Sequence, residues 1–427
     1  MTGEWQETVL ADVSSDVSYG YTESATDEKV GPRFLRITDI QNGVVNWANV
    51  PYCPINAENH QKYRLQEGDI VVARTGNSTG ENFLYRGGED AVFASYLIRF
   101  RIDRQKADPG FVWYNLRSQD WWNFINNSKT GSAQAGANAK ILGLFPLNLP
   151  PLAEQRAIAH ILGTLDDKIE LNRRMNETLE AMARALFKSW FVDFDPVRAK
   201  AERRDPGLPK PLADLFPDSF EDSALGEIPK GWEVKSLDEI ANFLNGLALQ
   251  KYPPGEGATL PVIKIAQLRK GDTDGADRCN TDLPPDYVTN DGDVLFSWSG
   301  SLECVLWAGG KGALNQHLFK VTSTRFPKWF YYLCVHQHLP DFRHIAAGKA
   351  TTMGHIQRHH LTDAKVIVPG SAVFNAADKV IAPLIEQVMQ RRVETLTLAT
   401  LRDTLLPNLI SGELRLPESA IKVRSHA

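Results

Sequence analysis

Apolar residues recur at three- and four-residue steps in two long stretches of the chain, residues 153–191 and 374–410. This spacing places them on one face of a helix and predicts two long amphipathic helices. Because helices of this length need a partner for their apolar face, we expect them to pack against each other as an antiparallel pair. The predicted interface consists of Leu162, Leu165, Ile169, Leu179, Leu186, Ile381, Leu384, Val388, Leu398 and Leu405.

Polar residues interrupt both apolar stripes. Asn172 and Asn176 interrupt the first, and Arg391 and Thr395 the second. Such residues fix the register of a helix pair more than they stabilise it. The acidic group Asp166, Asp167 and Glu170 is interpreted as part of the solvated helix face.

The chain repeats one plan. Each half has a segment that begins with tryptophan (5–10 and 232–237) and a strand-like run (34–37 and 262–265). A Gly-Asp turn then leads into a second apolar strand (68–72 and 292–296), followed by aromatic helices around 111–124 and 329–342. A shift of 219 positions aligns Pro150 with Pro369 and also Leu165 with Leu384. The pattern predicts an α+β fold with a pseudo-twofold internal repeat, in which two similar domains are separated by the two long antiparallel helices.

The predicted boundaries follow from this repeat and from a proline-rich, acidic stretch between the halves. We expect a first domain at 1–152, a central long helix at 153–200, a connector at 201–228, a second domain at 229–372, a C-terminal long helix at 373–412 and a tail at 413–427.

The composition is ordinary for a globular protein, with 43% apolar and 23% charged residues. The four cysteines form no C-x-x-C pair, which argues against a zinc ribbon and favours a reducing compartment. With no signal peptide and no apolar run long enough to span a membrane, we expect a cytoplasmic protein. The net charge of −5 is unusual for a DNA-binding protein. Residues 325–365, however, contain six Lys/Arg against two acids, and six of the ten histidines, which indicates a local basic face.

Small polar loops follow the Gly-Asp strands and the aromatic helices in both halves. They combine Arg or Lys with side chains able to bond base edges or phosphates. The candidates for DNA binding in the first half are Arg74, Thr75, Asn77, Ser78, Lys129, Thr130, Ser132 and Gln134. Those in the second half are Ser297, Trp298, Ser299, Ser301, Lys349, Thr351, Thr352, His355 and Arg358. The alternative is that these are plain solvated loops.

Other residues invite a chemical interpretation that we weigh against a structural one. Trp121 and Trp122 could stack on bases, but core packing on a helix face is favoured. His355, His359 and His360 could hold a metal, yet no cysteine or carboxylate set completes such a site, and a phosphate-facing patch is favoured. The sequence shows neither the Asn/Asp-Pro-Pro-aromatic motif of an adenine methyltransferase nor a P-loop. We therefore predict no catalytic residues and no metal site.

Three segments resemble the specificity subunits of type I restriction-modification systems. They are 150–156 (PPLAEQR), 186–197 (LFKSWFVDFDPV) and 225–232 (LGEIPKGW). The resemblance covers nearly the whole chain in order. It implies that each domain is a target-recognition domain for one half of a split DNA site, with the helix pair as a spacer. It further implies two adenine-methylating M subunits and motor-nuclease R subunits as partners. S-adenosylmethionine would bind to the M subunit, and ATP and Mg to the R subunit, with no cofactor on this chain.

Glu154 and Gln155 lie in the first of these segments, and we expect them to contact a partner subunit. The second copy reads Phe374-Asn375-Ala376-Ala377 at that point, so the partner contacts need not be symmetric.

The resulting hypothesis is a non-catalytic specificity subunit that recognises a bipartite, asymmetric site in double-stranded DNA. Two alternatives remain: a stand-alone DNA-modifying enzyme, or a coiled-coil scaffold whose domains bind protein.

Overall fold

The computed structural model describes residues 5–40, 43–129, 137–348 and 354–422. Up to the first long helix, the elements are β1 (Gln6–Val9), β2 (Ser14–Tyr19), β3 (Arg33–Leu35), α1 (Ala57–Tyr63), β4 (Asp69–Ala73), β5 (Asn82–Leu84), β6 (Ala91–Phe93), β7 (Leu97–Ile102), α2 (Pro109–Asn115), α3 (Gln119–Lys129), α4 (Ala139–Gly143) and β8 (Pro146–Leu149).

The first long helix is α5 (Leu152–Phe191), and α6 (Asp195–Ala201), α7 (Lys210–Ala213), β9 (Phe220–Ser223) and β10 (Gly226–Pro229) follow it. The second half contains β11 (Glu233–Ser236), α8 (Leu237–Ile240), β12 (Asn242–Asn245), β13 (Thr259–Ile263), α9 (Ile265–Lys270), β14 (Arg278–Asn280), β15 (Val288–Thr289), β16 (Val294–Ser297), β17 (Cys304–Leu306), β18 (Gly312–Leu314), β19 (Leu318–Thr322), α10 (Lys328–Ala347), α11 (Arg358–Asp363), β20 (Lys365–Val368), α12 (Ser371–Ser411) and α13 (Glu418–Lys422). Short 3₁₀ helices lie at Trp47–Asn49, Leu249–Lys251 and Pro285–Tyr287.

Contacts divide the chain into two compact units. Unit 1 comprises Met1–Asp167 and Ala399–Ala427, and unit 2 comprises Lys168–Leu398. Helices α5 and α12 therefore each contribute residues to both units. Within unit 2, Asn172 bonds to Glu394 while Glu180, further along α5, bonds to Arg392. The residue number increases along α5 while that of the bonded residue in α12 decreases, so the two helices run antiparallel there.

The two units share three strand arrangements, and unit 2 adds β14 and β15 to the last of them. The order β2-β7-β4-β5 in unit 1 matches β12-β19-β16-β17 in unit 2. The antiparallel pair β1–β8 matches β11–β20, and the parallel pair β3–β6 matches β13–β18. The predicted mixture of helices and strands, with an internal repeat and two long helices, is confirmed.

The Gly-Asp turns show the repeat at atomic detail. Gly68 and Gly292 have φ of 95° and 88°, which only glycine adopts readily. The next residue in unit 1, Asp69, accepts a bond from the backbone N–H of Gln66 at 2.8 Å and pairs with Arg101 of β7 at 2.7 Å.

In unit 2 the equivalent aspartate does the same. Asp293 accepts from the backbone N–H of Asn290 at 2.8 Å and pairs with Lys320 of β19 at 2.9 Å. The Gly-Asp sequence thus closes a turn and ties it to the neighbouring strand, which explains why it occurs in both halves.

Each unit has a main hydrophobic core between its sheet and its helices. In unit 1, the sheet packs with α2, α3, the first part of α5 and the last part of α12, and Leu162, Leu409 and Ile410 are buried there. In unit 2, α10 packs with the last part of α5 and the first part of α12, and Phe187 and Ile381 are buried. The apolar faces predicted from periodicity supply part of both cores.

The segment 201–228 is more ordered than a plain connector. Its last residues form the hairpin of β9 and β10, which ends at Pro229. Phe216 is buried with its ring 5.5 Å from that of Trp190. The central helix itself ends at Phe191, before the short helix α6. The proline and acidic residues of this segment predicted the change of structure. They did not predict that its few apolar residues pack into a core.

Candidate nucleic-acid interface

Arg74 lies directly after β4 in unit 1, at an exposed aromatic surface. Its Nε donates to the carbonyl of Ser95 at 3.0 Å. The guanidinium carbon lies 5.2 Å from the ring centre of Tyr19 and 5.9 Å from that of Tyr96. These tyrosines are 43% and 55% exposed, which is high for such large apolar rings. We call Tyr19, Arg74 and Tyr96 the arginine cluster.

The guanidinium of Arg74 keeps unused donors. Within the part of the chain that the structure describes, neither of its Nη groups forms a hydrogen bond or an ion pair. A restrained arginine fork with free donors suits a planar acceptor such as a base edge, or a phosphate.

The loop after Arg74 is a closed turn. The hydroxyl of Thr79 donates to the carbonyl of Gly76 at 2.7 Å. Asn77 is exposed at its tip, while Thr75 and Ser78 are half-buried. The structure therefore places the four predicted residues of this loop together. Asn77 is the exposed one, and Arg74 has free Nη donors.

Trp298 holds the equivalent position in unit 2, directly after β16. Its indole Nε1 donates to Asn245 Oδ1 at 2.9 Å and to the carbonyl of Gln316 at 3.1 Å. Its ring lies 5.8 Å from that of His317. Asn245, Trp298 and His317 form what we call the tryptophan cluster.

The backbone around the two clusters matches bond for bond. The N–H of Ala137 donates to the carbonyl of Arg74 at 3.0 Å, and that of Ile356 donates to the carbonyl of Trp298 at 2.9 Å. In each unit a glycine allows a close approach of two backbone segments that a side chain would prevent. A Cβ on Gly20 would lie 2.3 Å from the carbonyl oxygen of Ala94, and one on Gly246 would lie 2.2 Å from that of Asn315. The scaffold is the same and the side chains it presents differ.

Tyr19, Tyr96, Asn245 and His317 were not predicted from the sequence. They come from other strands and turns, and the strand order brings them beside the residue after the Gly-Asp strand. The repeat itself holds the one usable signal, because Tyr19 and Asn245 both directly precede a glycine, Gly20 or Gly246.

The prediction of DNA binding is wrong for two serines. Ser297 is fully buried, where its hydroxyl donates to the carbonyl of Ser301 at 2.6 Å and accepts from the N–H of Glu303 at 2.7 Å. Ser299 is also buried, and its hydroxyl bonds to His317 Nδ1 at 3.0 Å. Both hydroxyls stabilise the turn from within and cannot reach DNA, whereas Ser301 is exposed.

Other predicted residues lie outside the described part of the chain or at its edge. Those outside it are Thr130, Ser132, Gln134, Lys349, Thr351 and Thr352. Lys129 ends α3, and His355 forms an isolated bridge with Ser299. Arg358 is an exposed residue that donates to the carbonyl of Phe243 at 3.3 Å and lies 5.6 Å from the ring of Phe319. Their contacts with DNA stay predictions.

The basic stretch 325–365 carries less unpaired positive charge than its composition indicates. Arg343 pairs with Glu303 at 2.9 Å. Burial, with a smaller effect of the Arg184 charge, lowers the pKa of His336 to about 3, and burial lowers the pKa of His338 as well. Protonation of these two histidines is therefore disfavoured, so they add little positive charge to the stretch.

The structure contradicts the prediction that Glu154 and Gln155 contact a partner subunit. Their exposures are only 4% and 2%. Gln155 accepts from the backbone N–H of Asp108 at 2.9 Å and donates to the carbonyl of Pro150 at 2.8 Å, while Glu154 lies 3.7 Å from Arg415. Their polar groups are used inside unit 1, where they fasten the start of α5.

Asp166 is likewise not on a solvated face. It is 14% exposed and lies 3.6 Å from Arg117. It accepts from the hydroxyl of Tyr114 and from Arg402, both at 2.7 Å. Periodicity placed it on the polar side of α5 without showing that α2 covers that side. Asp167 and Glu170 are more open and form ion pairs with nearby arginines.

The predicted residues of the helix-pair interface differ in burial. Leu162, Ile381 and Val388 are fully buried. Leu179, Leu186, Leu384 and Leu405 are partly buried and pack against the core of their own unit. Leu165, Ile169 and Leu398 are half-buried. Among the polar interruptions, Asn172 is completely buried and Asn176 nearly so.

The structure also bears on the two alternative chemical interpretations, base stacking by Trp121 and a metal site. Trp121 is completely buried, and its indole N–H donates to the carbonyl of Gly80 at 2.8 Å, as core packing requires. No cluster of three His, Cys, Asp or Glu residues suited to a metal occurs among the described residues. Over the same residues, every helix is too short or too polar to cross a membrane.

Comparisons with known proteins agree with this architecture. The family model described as "Type I restriction modification DNA specificity domain" matches residues 4–181 and 229–400, once in each half of the chain. The type I restriction enzyme HindI specificity subunit of Haemophilus influenzae is 25% identical over an alignment of 471 residues. This alignment covers 96% of this chain and 100% of that protein. The MjaIX specificity subunit of Methanocaldococcus jannaschii is 26% identical over 364 residues, 83% of this chain and 77% of that protein.

A solved structure shares the fold. The S subunit of a type I restriction-modification system from M. genitalium matches with a TM-score of 0.57 at 16% identity, over 95% of this chain and 96% of that chain.

Proposed function

Because this chain belongs to the family of type I restriction-modification DNA specificity domains, we propose that it recognises a bipartite, asymmetric sequence in double-stranded DNA as the S subunit of such a complex. In this proposal the chain performs no chemistry. It positions two adenine-methylating M subunits and the motor-nuclease R subunits. S-adenosylmethionine is bound by the M subunit, and ATP and Mg by the R subunit.

One observation carries the proposal: a single recognition fold occurs twice and presents unlike side chains at the equivalent place. The arginine cluster and the tryptophan cluster occupy matched backbone sites but offer a cationic fork in one unit and an indole ring in the other. Two related readers with different side chains fit two half-sites of different sequence. The role of the helix pair as a spacer between the half-sites stays a prediction.

The test is a domain exchange read by methylome sequencing. The chain is co-expressed with a type I M subunit, and residues 5–149 are replaced by the corresponding segment of another family member. We expect one half of the methylated site to change and the other to be retained. The matched control replaces residues 233–368, and it should change the opposite half. Alteration of both halves by one exchange, or methylation without any sequence preference, would contradict the proposal.

A further inference from the structure

We propose that Arg74 selects a guanine in the half-site read by unit 1, and that Trp298, its structural equivalent, does not make this contact at the matched position of unit 2. This inference rests on the proposed function and deepens it, because it assigns a specificity-determining residue to each half.

The orientation of the Arg74 side chain is fixed at several points. Its Nε is bonded to the Ser95 carbonyl, and the rings of Tyr19 and Tyr96 lie within 6 Å of the guanidinium carbon, at 5.2 and 5.9 Å. Its backbone N–H donates to the carbonyl of Tyr96 at 3.1 Å, and its carbonyl accepts from Ala137 at 3.0 Å. The residue is held by both its main chain and its side chain before any ligand arrives.

A fixed fork fits a base edge better than it fits a phosphate. Two N–H groups of arginine match O6 and N7 of guanine in the major groove, a contact that requires a defined plane. A phosphate accepts hydrogen bonds from many directions, and a lysine or a mobile arginine serves it equally well. The restraint on Arg74 therefore favours base recognition.

Trp298 cannot make this contact. The single donor of the Trp298 ring is already bonded to Asn245 and to the Gln316 carbonyl. Trp298 therefore offers an apolar surface without charge, bordered by His317. The side-chain difference at one matched position predicts that the two half-sites differ in their requirement for guanine.

The substitutions Arg74→Lys and Arg74→Gln test the proposal in the full-length chain co-expressed with a type I M subunit. Binding is measured against a DNA library in which every position of the recognised site is varied, at several salt concentrations. In the unsubstituted chain we expect guanine at one position of the unit 1 half-site to be preferred about 10- to 100-fold over other bases. Both variants should lose most of that preference at this one position and keep the preferences of the other half-site.

The matched control is Arg104→Lys with Arg104→Gln. Arg104 is an exposed arginine that bonds to the carbonyl of Glu67 near the other end of β4. Its loss should leave base preferences unchanged. A second variant, Tyr96→Leu, keeps the charge of Arg74 but removes one of the two aromatic rings that hold its guanidinium in place. It should reduce the preference for guanine without changing the salt dependence.

The contrary outcomes are distinct. If Arg74→Gln weakens binding to all sequences equally and lowers the slope of log K against log salt by about one, Arg74 contacts phosphate and the inference is overturned. Unchanged guanine preference in both Arg74 variants also overturns it. If the unsubstituted complex itself shows no sequence preference, the proposed function fails, and the inference fails with it. Retained preference at the other positions of the unit 1 half-site shows that unit 1 of a variant is folded.

Discussion

The hydroxyl of Tyr114 in α2 donates a hydrogen bond of 2.7 Å to Oδ2 of Asp166 in α5. The other carboxylate oxygen accepts from Arg402 of α12, also at 2.7 Å. Burial, together with the negative charge of Asp166, raises the pKa of Tyr114, so the phenol remains a donor at physiological pH. One carboxylate thus joins three helices within unit 1.

Substitution of this carboxylate should destabilise unit 1. Asp166→Ala leaves Arg402 and Arg117 without their common acceptor in a poorly exposed site, so we expect the free energy of unfolding to fall by about 2–4 kcal/mol. Urea denaturation measures the change. The control Asp167→Ala removes a carboxylate that is 69% exposed and should cost under about 1 kcal/mol. Equal effects of the two substitutions would contradict the buried role of Asp166.

Gln155 should matter for stability rather than for subunit binding. Gln155→Ala deprives the Asp108 N–H and the Pro150 carbonyl of their partner at the start of α5. We expect a loss of about 1–3 kcal/mol in the free energy of unfolding, because buried backbone groups lose hydrogen bonds. Affinity for an M subunit, measured below the melting temperature, should be unchanged. A selective loss of that affinity with unchanged stability would restore the original interpretation of this residue.

Unit 2 should lose stability in mild acid because of His336. Its pKa is about 3 in the folded chain, against an ordinary value of 6.5, mainly because of burial. The unfolded chain therefore binds the proton more readily, so the stabilisation is complete above pH 6.5 and is lost as the pH falls towards 3. Between pH 7 and 5 we expect a loss of about 2 kcal/mol. Denaturation at both pH values measures it, and His336→Gln should reduce this pH dependence. His344→Gln, at an exposed position of the same helix α10, should leave it unchanged.

The buried asparagines of the helix pair should lower stability. Asn172 and Asn176 each have a buried side-chain oxygen without a hydrogen-bond partner among the described residues. The double substitution Asn172→Leu with Asn176→Leu removes both unsatisfied groups, and we expect the free energy of unfolding to rise by about 1–3 kcal/mol. The control Asn375→Leu, at an exposed position of α12, should change it by less than about 0.5 kcal/mol. A lower stability of the double variant would contradict this expectation and show that the bond from Asn172 to Glu394 outweighs the cost of the two oxygens.

Local patterns predicted the long helices well. The periodic stretches 153–191 and 374–410 correspond to Leu152–Phe191 and Ser371–Ser411, because helical periodicity is a property of neighbouring residues. The Gly-Asp turns were also found, since each is closed by bonds within a few residues of the aspartate.

Contacts between distant elements were not predictable in this way. Tyr19 and Tyr96 join Arg74 only through the order β2-β7-β4-β5. The glycine after Tyr19 is a signal only when the two halves are compared, and nothing in the flanking sequence marks Tyr96. Ser297 was misassigned because a buried turn and an exposed loop have the same small polar composition. Asp166 was misassigned because its position on the polar face of α5 gives no sign of the helix that covers it.

The assignment of residues 399–411 to unit 1 has a consequence for synthesis. Leu405, Leu409 and Ile410 pack in the same core as Leu10 and Leu162. Residues 5–167 leave the ribosome long before that part of α12 exists, so their apolar surface stays open while all of unit 2 is translated. Unit 1 is thus begun first and completed last, and a chain that ends before residue 399 would contain every residue of unit 2 but only part of unit 1.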